Sequence, residues 1–152
     1  MSRRKSRILA FQALYSWNVS KAPLEDLLTF SWLQKDSELS SNENFVKELS
    51  ETAREEQTFA RFIIAGAIEH SDEIDKLISD HLAANWSLER LNKVALAILR
   101  ISIYEMRYQP DSNQKIIIDE AINIAKEFGA EDSYKFINAI LDKIGKNDGA
   151  AE

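Results

Sequence analysis

Arg3, Arg4, Lys5 and Arg7 place four cationic side chains in the first seven residues. The chemistry open to such a run is electrostatic: guanidinium and ammonium groups neutralise phosphates, and a polyanion so neutralised releases its condensed counterions. The chain around the run is acidic. Its 152 residues carry a formal net charge of -6, and with Lys21 the first 24 hold five cations and no acid, which leaves -11 for the other 128. A nucleic acid is drawn to such a pole; the bland alternative is a solvated, frayed terminus. Tyr15 and Trp17 follow in the same stretch. Single-stranded RNA is read through splayed bases stacked on aromatic or guanidinium planes beside a cationic track, and Arg3, Arg4 and Arg7 near Tyr15 would supply both.

Bond-making chemistry has less to stand on. His70 and His81 are the only histidines and there is no Cys, so a metal site lacks companion ligands and none is expected. Asp119 with Glu120 and Glu131 with Asp132 are adjacent carboxylates, but neighbouring helix positions diverge, and acids beside helix starts serve as caps or dipole partners. No serine stands in a nucleophile motif and no Gly-rich phosphate loop is present. A binding module without a cofactor is expected, not an enzyme.

The elements that must carry these residues are helical. Apolar residues make up 45% and charged residues 29%, with four Gly and two Pro, which fits one globular domain with long regular elements. The longest apolar stretch, Val94 to Leu99, is too short to cross a bilayer, and the start lacks the apolar core of a secretion signal. Cytoplasmic residence with no membrane contact is therefore expected.

Periodicity predicts a first helix over about Arg3 to Asn18, with stripes Ile8, Phe11, Tyr15, Val19 and Leu9, Ala13, Trp17 and its basic first turn free in water. Pro23 opens a short second helix carrying Leu24, Leu27, Leu28 and Trp32, and Lys35 to Asn44 reads as loop. A third helix, about Glu43 to Ile68, puts Phe45, Leu49, Phe59, Phe62, Ile63 and Ala67 on an apolar face, with Gly66 at a close backbone approach. Ser71 is the expected N-cap of a helix to about Leu82. Leu88 to Tyr108 is dense enough in apolar residues to be the central helix, stopped by Pro110. Helices over about Lys115 to Phe128 and Asp132 to Ile144 end at the cap glycines Gly129 and Gly145, and the tail after Lys146 is expected to be loose.

Two stretches are more specific. Arg3-Arg4-Lys5-Ser6-Arg7 with Gln12-Ala13-Leu14-Tyr15-Ser16-Trp17, and Ile118-Asp119-Glu120-Ala121-Ile122 with the run from Phe128 through Gly129, Ala130, Glu131, Asp132, Ser133, Tyr134, Lys135, Phe136 and Ile137 to Asn138, closely resemble the NusB family of bacterial transcription antitermination factors. Trp86-Ser87-Leu88-Glu89-Arg90-Leu91, Ile98-Leu99-Arg100-Ile101 and Tyr104-Glu105 are similar to that family too. The resemblance is weakest from about Leu24 to Ser50 and after Gly145.

It implies an all-α fold, a single compact domain of about seven helices in two packed bundles over residues 1–145, with 146–152 as a flexible tail. It also implies a non-enzymatic role: binding the boxA element of nascent ribosomal RNA together with the ribosomal protein NusE, within the RNA polymerase elongation complex and its other Nus factors. By the family's pattern Arg3, Arg4, Lys5 and Arg7 contact RNA, with Tyr15, Lys115 and Phe136 as neighbours on the same surface, although helical spacing alone reads Tyr15 and Phe136 as core packing. Acidic surface would attract the basic partner. Glu89 and Glu105 are the candidates for that face, and Asp132 is a cap that stays a candidate at the partner or RNA surface. Ala95 and Ala139 depart from the pattern, which commonly has an acid and a Gly there. The competing reading is a protein-interaction or homodimerisation module whose basic turn is merely solvated; homodimerisation of the free protein is also compatible with the main reading. An RNA-targeting domain of the kind that begins certain rRNA methyltransferases is a third.

Overall fold

The computed structural model describes residues 3–21, 23–29, 54–109 and 113–150. Their order is α1 (Arg3–Ser20), α2 (Leu24–Thr29), α3 (Arg54–Glu69), α4 (Ser71–Asp80), a 3-10 turn (Leu88–Arg90), α5 (Lys93–Tyr108), α6 (Gln114–Phe128) and α7 (Ser133–Ala150), with no strand among the described residues. Helix α5 is the shared wall of two bundles: α1, α3 and α4 pack on it from one side, and the α6–α7 hairpin from the other. The all-α, two-bundle expectation is met. The expected loop at Lys35 to Asn44, and Trp32, Phe45, Leu49 and Pro110, lie outside the described residues.

Helix α1 is buried from Ile8 through Leu14, as its double apolar stripe requires. It ends on Lys21, whose φ of 58° is left-handed and whose N–H bonds the Trp17 carbonyl at 2.9 Å, a chain reversal that leads into Pro23. Along α3 the buried stripe is Glu56, Ala60, Ile63, Ile64 and Ala67. Phe62 is 56% exposed, because it stands one residue, about 100°, off that stripe. The expectation of Phe62 on the core face is out of phase with the packing. Gly66 does mark a close approach: a Cβ there would lie 2.1 Å from the Tyr104 ring.

Three helix boundaries differ from the expectation, each for a local reason. Ser71 is the first residue of α4 and not its cap, since the His70 N–H still bonds the Gly66 carbonyl at 3.0 Å, and near-helical continuation from α3 leaves no extended residue to cap. The central helix begins at Lys93 and not Leu88: Leu91 is extended, and the Asn92 side chain accepts the Val94 and Ala95 N–H groups at 2.9 and 3.1 Å. Gly129 is the C-cap of α6, but Gly145 lies inside α7 and is buried, its missing Cβ making room for Gln114 Oε1 at 2.9 Å. The backbone of α7 is helical to Ala150, past the point at which a tail is expected to begin.

Helix α5 is buried from Ala95 to Met106, and that span includes Arg100. The Arg100 guanidinium makes two 2.9 Å bonds to Asp75 of α4, lies 3.4 Å from Asn18 Oδ1 and stands 5.3 Å over the Trp17 ring of α1. Removing one partner of a buried pair leaves the other charge uncompensated. Asp75→Ala is therefore expected to lower unfolding free energy by about 3 kcal/mol, read from the urea midpoint, a loss well beyond that of an ordinary surface substitution.

Candidate nucleic-acid interface

Helix periodicity turns Arg3, Arg4 and Lys5 through about 200° and sets Arg7 one turn further in than Arg3, so the members of the run meet different neighbours. Ser6, in the middle of the run, is buried, and its hydroxyl donates to the Glu56 carbonyl of α3 at 2.8 Å. That bond pins the basic turn to the body of the protein. Arg7 turns inward: its Nε donates to Glu105 of α5 at 2.9 and 3.2 Å, and the two side chains are 13% and 4% exposed. Arg4 pairs with Glu127 at the end of α6, with both groups still touching water at 40% and 27% exposure. Arg3 is exposed and lays its guanidinium 3.5 Å above the Phe59 ring of α3. Lys5 is half-buried. The basic turn is thus not free in water. It is fastened to α3, α5 and α6, and it offers Arg3 and Arg4 at the surface while Arg7 serves the interior.

Glu105 corrects an expectation. The attraction of acidic surface for a basic partner is the basis for expecting it on a partner-facing surface, but α5 has no wet face there and Glu105 is 3% exposed. Burial pushes its carboxyl above the usual carboxylate range, against the pull of Arg7 and, more weakly, Arg3; Glu120 pushes in the same direction as burial. Glu105 is the counter-charge that holds Arg7.

A second feature is a cleft of about 640 Å³ between the end of α4, the 3-10 turn and α7, with an almost wholly apolar lining. Phe136, Ala139, Ile140 and Lys143 line it from α7, and Leu82, Trp86, Arg90 and Ala95 from the opposite side. Trp86 is 50% exposed with the Arg90 guanidinium 5.4 Å from its ring. Among the described residues no group of three or more His, Asp or Glu is placed to hold a metal ion, and no helix is long and apolar enough to cross a membrane.

The sequence model of the NusB family matches residues 4–146. The transcription antitermination protein NusB of Treponema denticola is 48% identical over 144 residues, which cover 95% of this chain and 96% of that protein. This chain belongs to the NusB family. The T. maritima NusB crystal structure superposes with a TM-score of 0.75 at 34% identity, covering 96% of this chain and 92% of that one. A chain in the crystal structure of antitermination factors NusB and NusE in complex with double-stranded RNA shares the fold, with a TM-score of 0.77 at 23% identity and coverage of 95% and 96%.

The residues that the NusB resemblance names fall at separate places. Tyr15 is half-buried against the core, eleven residues after Arg4, hence on the same face of α1 but about 16 Å further along. Lys115 is exposed at the start of α6, beside Asn138, Asp142 and Lys146; Glu127, which holds Arg4, is twelve residues or about 18 Å away along the same helix. Phe136 is half-buried in the apolar cleft, on the other side of α7 from Lys115. Asp132 is exposed just before α7, 3.7 Å from Lys135. Glu89 is exposed in the 3-10 turn. Ala95 and Ala139, the two departures from the family pattern, both line the cleft.

Sequence reasoning missed Glu127, Phe59 and Glu56, which hold Arg4, Arg3 and Ser6, and it missed the cleft. Nothing local announces a partner 123 residues away. The Arg7–Glu105 pair carries a pH signature. A buried acid with a raised pKa binds a proton in the folded state that the unfolded chain releases, so stability falls as pH rises from the ordinary value of 4.5 through the raised one. Deleting Arg7 raises that pKa further and widens the window. Arg7→Met is expected to cost about 3 kcal/mol at pH 7 and markedly less at pH 5, in urea unfolding at the two values. An equal loss at both would mean that Glu105 is not the group left uncompensated.

Proposed function

We propose that this NusB-family chain is a transcription antitermination factor that binds the boxA element of nascent ribosomal RNA together with the ribosomal protein NusE and so supports transcription and processing of ribosomal RNA. The observation that carries the reading is the cationic first turn of α1, fixed to the core by Ser6 and Arg7 and offering Arg3 and Arg4 to solvent, in a chain similar over nearly its whole length to proteins named for antitermination. Arg3 lies with its guanidinium 3.5 Å from the centre of the Phe59 ring and is exposed, and guanidinium N–H groups are the donors that phosphate uses. Tyr15 and Lys115 extend the RNA surface, with Lys5 beside Arg4 and with Arg7 as its support from within, and Phe136 adds a separate contact from the cleft on the other side of α7.

Glu89 and Asp132, both exposed, belong to the surface that meets NusE, and the elongation complex with its other Nus factors is the setting in which the pair acts. The binding body is residues 1–145, and the backbone of α7 continues past it to Ala150. The role is a binding role carried out in the cytoplasm, without catalysis or cofactor, and homodimerisation of the free protein is compatible with it.

The rival reading, a protein-interaction or homodimerisation module, is favoured by one observation: Arg4 and Arg7 are already paired inside the molecule. Titration with a boxA-bearing single strand at several salt concentrations separates the two. Arg3→Gln with Arg4→Gln is expected to weaken binding and to flatten the log–log salt slope, chiefly by the about 0.7 that belongs to the phosphate Arg3 no longer neutralises. Unchanged affinity and slope would hand the basic turn to the rival reading, and size exclusion with and without RNA would then show whether two copies pair.

A further inference from the structure

Arg4 and Arg7 each have a carboxylate, but the two pairs differ in what can replace the partner. Around Arg7 and Glu105 there is no room for a ligand, with 13% and 4% of the side chains exposed. Around Arg4 and Glu127 there is, with 40% and 27% exposed. Glu127 also stands in the last turn of α6, next to the C-cap Gly129, where the carbonyl end of the helix dipole disfavours a negative charge. The pair therefore has an exchangeable cation, a solvent path to it, and an anion that becomes less comfortable once the cation leaves.

We propose that Glu127 is a built-in competitor of the transcript: in the free protein its carboxylate occupies the Arg4 guanidinium, and an RNA phosphate binds there only by displacing it. The inference rests on the RNA-binding reading and adds its regulation. A phosphate oxygen and a carboxylate oxygen present the same acceptor to a guanidinium, so one exchanges for the other without moving the arginine. The counterion balance changes with the exchange. Displaced Glu127 gathers a cation from solution as the phosphate sheds one, so Arg4 contributes little to the net salt dependence while Glu127 is present. The pairing thus lowers the attraction of the free basic turn for any passing polyanion, and an RNA that also engages other parts of the surface overcomes it.

Glu127→Gln removes the competing charge, keeps the side chain's size and relieves the unfavourable helix end, so the variant is expected to fold with unchanged or slightly higher thermal stability. Fluorescence anisotropy of a short labelled single-stranded RNA carrying a boxA sequence supplies the readout. The variant is expected to bind about two- to fivefold tighter at low salt, the range of an exposed ion pair, and with a salt slope steeper by up to about 0.7. In an Arg4→Gln background the same substitution is expected to change neither quantity, because nothing remains to be released. A gain of equal size in both backgrounds would show general charge repulsion and overturn the proposal. No gain in either, in a protein that binds the RNA, overturns it and leaves the RNA reading intact. Absence of wild-type binding overturns that reading and this one together.

Discussion

A helix without a wet face sets the terms for the rest of this protein. From Ala95 to Met106 every residue of α5 is buried, and the span contains a guanidinium at Arg100 and a carboxylate at Glu105. Burying either charge alone costs several kcal/mol, of order the whole margin of stability of a domain. Each must be answered by a neighbouring helix in good geometry. Asp75 answers from α4 and Arg7 from α1. The two pairs therefore do more than neutralise charge. They fix where α1 and α4 sit on the central helix, and through Arg7 they fix the position of the cationic turn.

That dependence explains why four residues that look alike in sequence separate in the fold. A run of cations on a helix sweeps about 100° per residue, and at the edge of a bundle some positions must face inward. Ser6 faces α3 and Arg7 faces α5, and what remains outward is Arg3 and Arg4. The turn is held in place because part of it is core. A frayed terminus with the same charges would carry an ordering cost on each encounter with RNA, of order 1 kcal/mol or more per residue. Here folding has already met that cost.

Much of the fold was legible in the sequence because it is local. Dense apolar periodicity singled out α5, the paired stripes of α1 required cover on two sides, and Gly66 marked where Tyr104 comes close. Three of the failures share one cause: each needed knowledge of packing between elements distant in sequence. Glu105 has the look of a surface acid until α1 closes over it, and its partner is 98 residues away. Gly145 has the look of a helix stop until Gln114 fills the space beside it. Phe62 sits next to core residues in sequence and shows its exposure only when the phase of α3 is set by its packing. The family motifs carried the candidate site further than spacing did, but they carried it as a set of separate residues, and only the fold assigns Arg7 to the interior and Glu127 to Arg4.

The RNA surface proposed above is distributed rather than pocket-like. Arg4 and Tyr15 are separated by about 16 Å along α1, and Glu127 and Lys115 by about 18 Å along α6. Groups so far apart and sharing no partner contribute additively. No single one of them decides binding, so a ligand gains affinity in proportion to how much of the surface it spans, which a flexible strand does and a compact anion does not. Exposed pairs such as Arg4 with Glu127 are weak enough to be exchanged one at a time along such a strand. The acidic remainder of the chain, at -11 over its last 128 residues, keeps the rest of the molecule from competing for it.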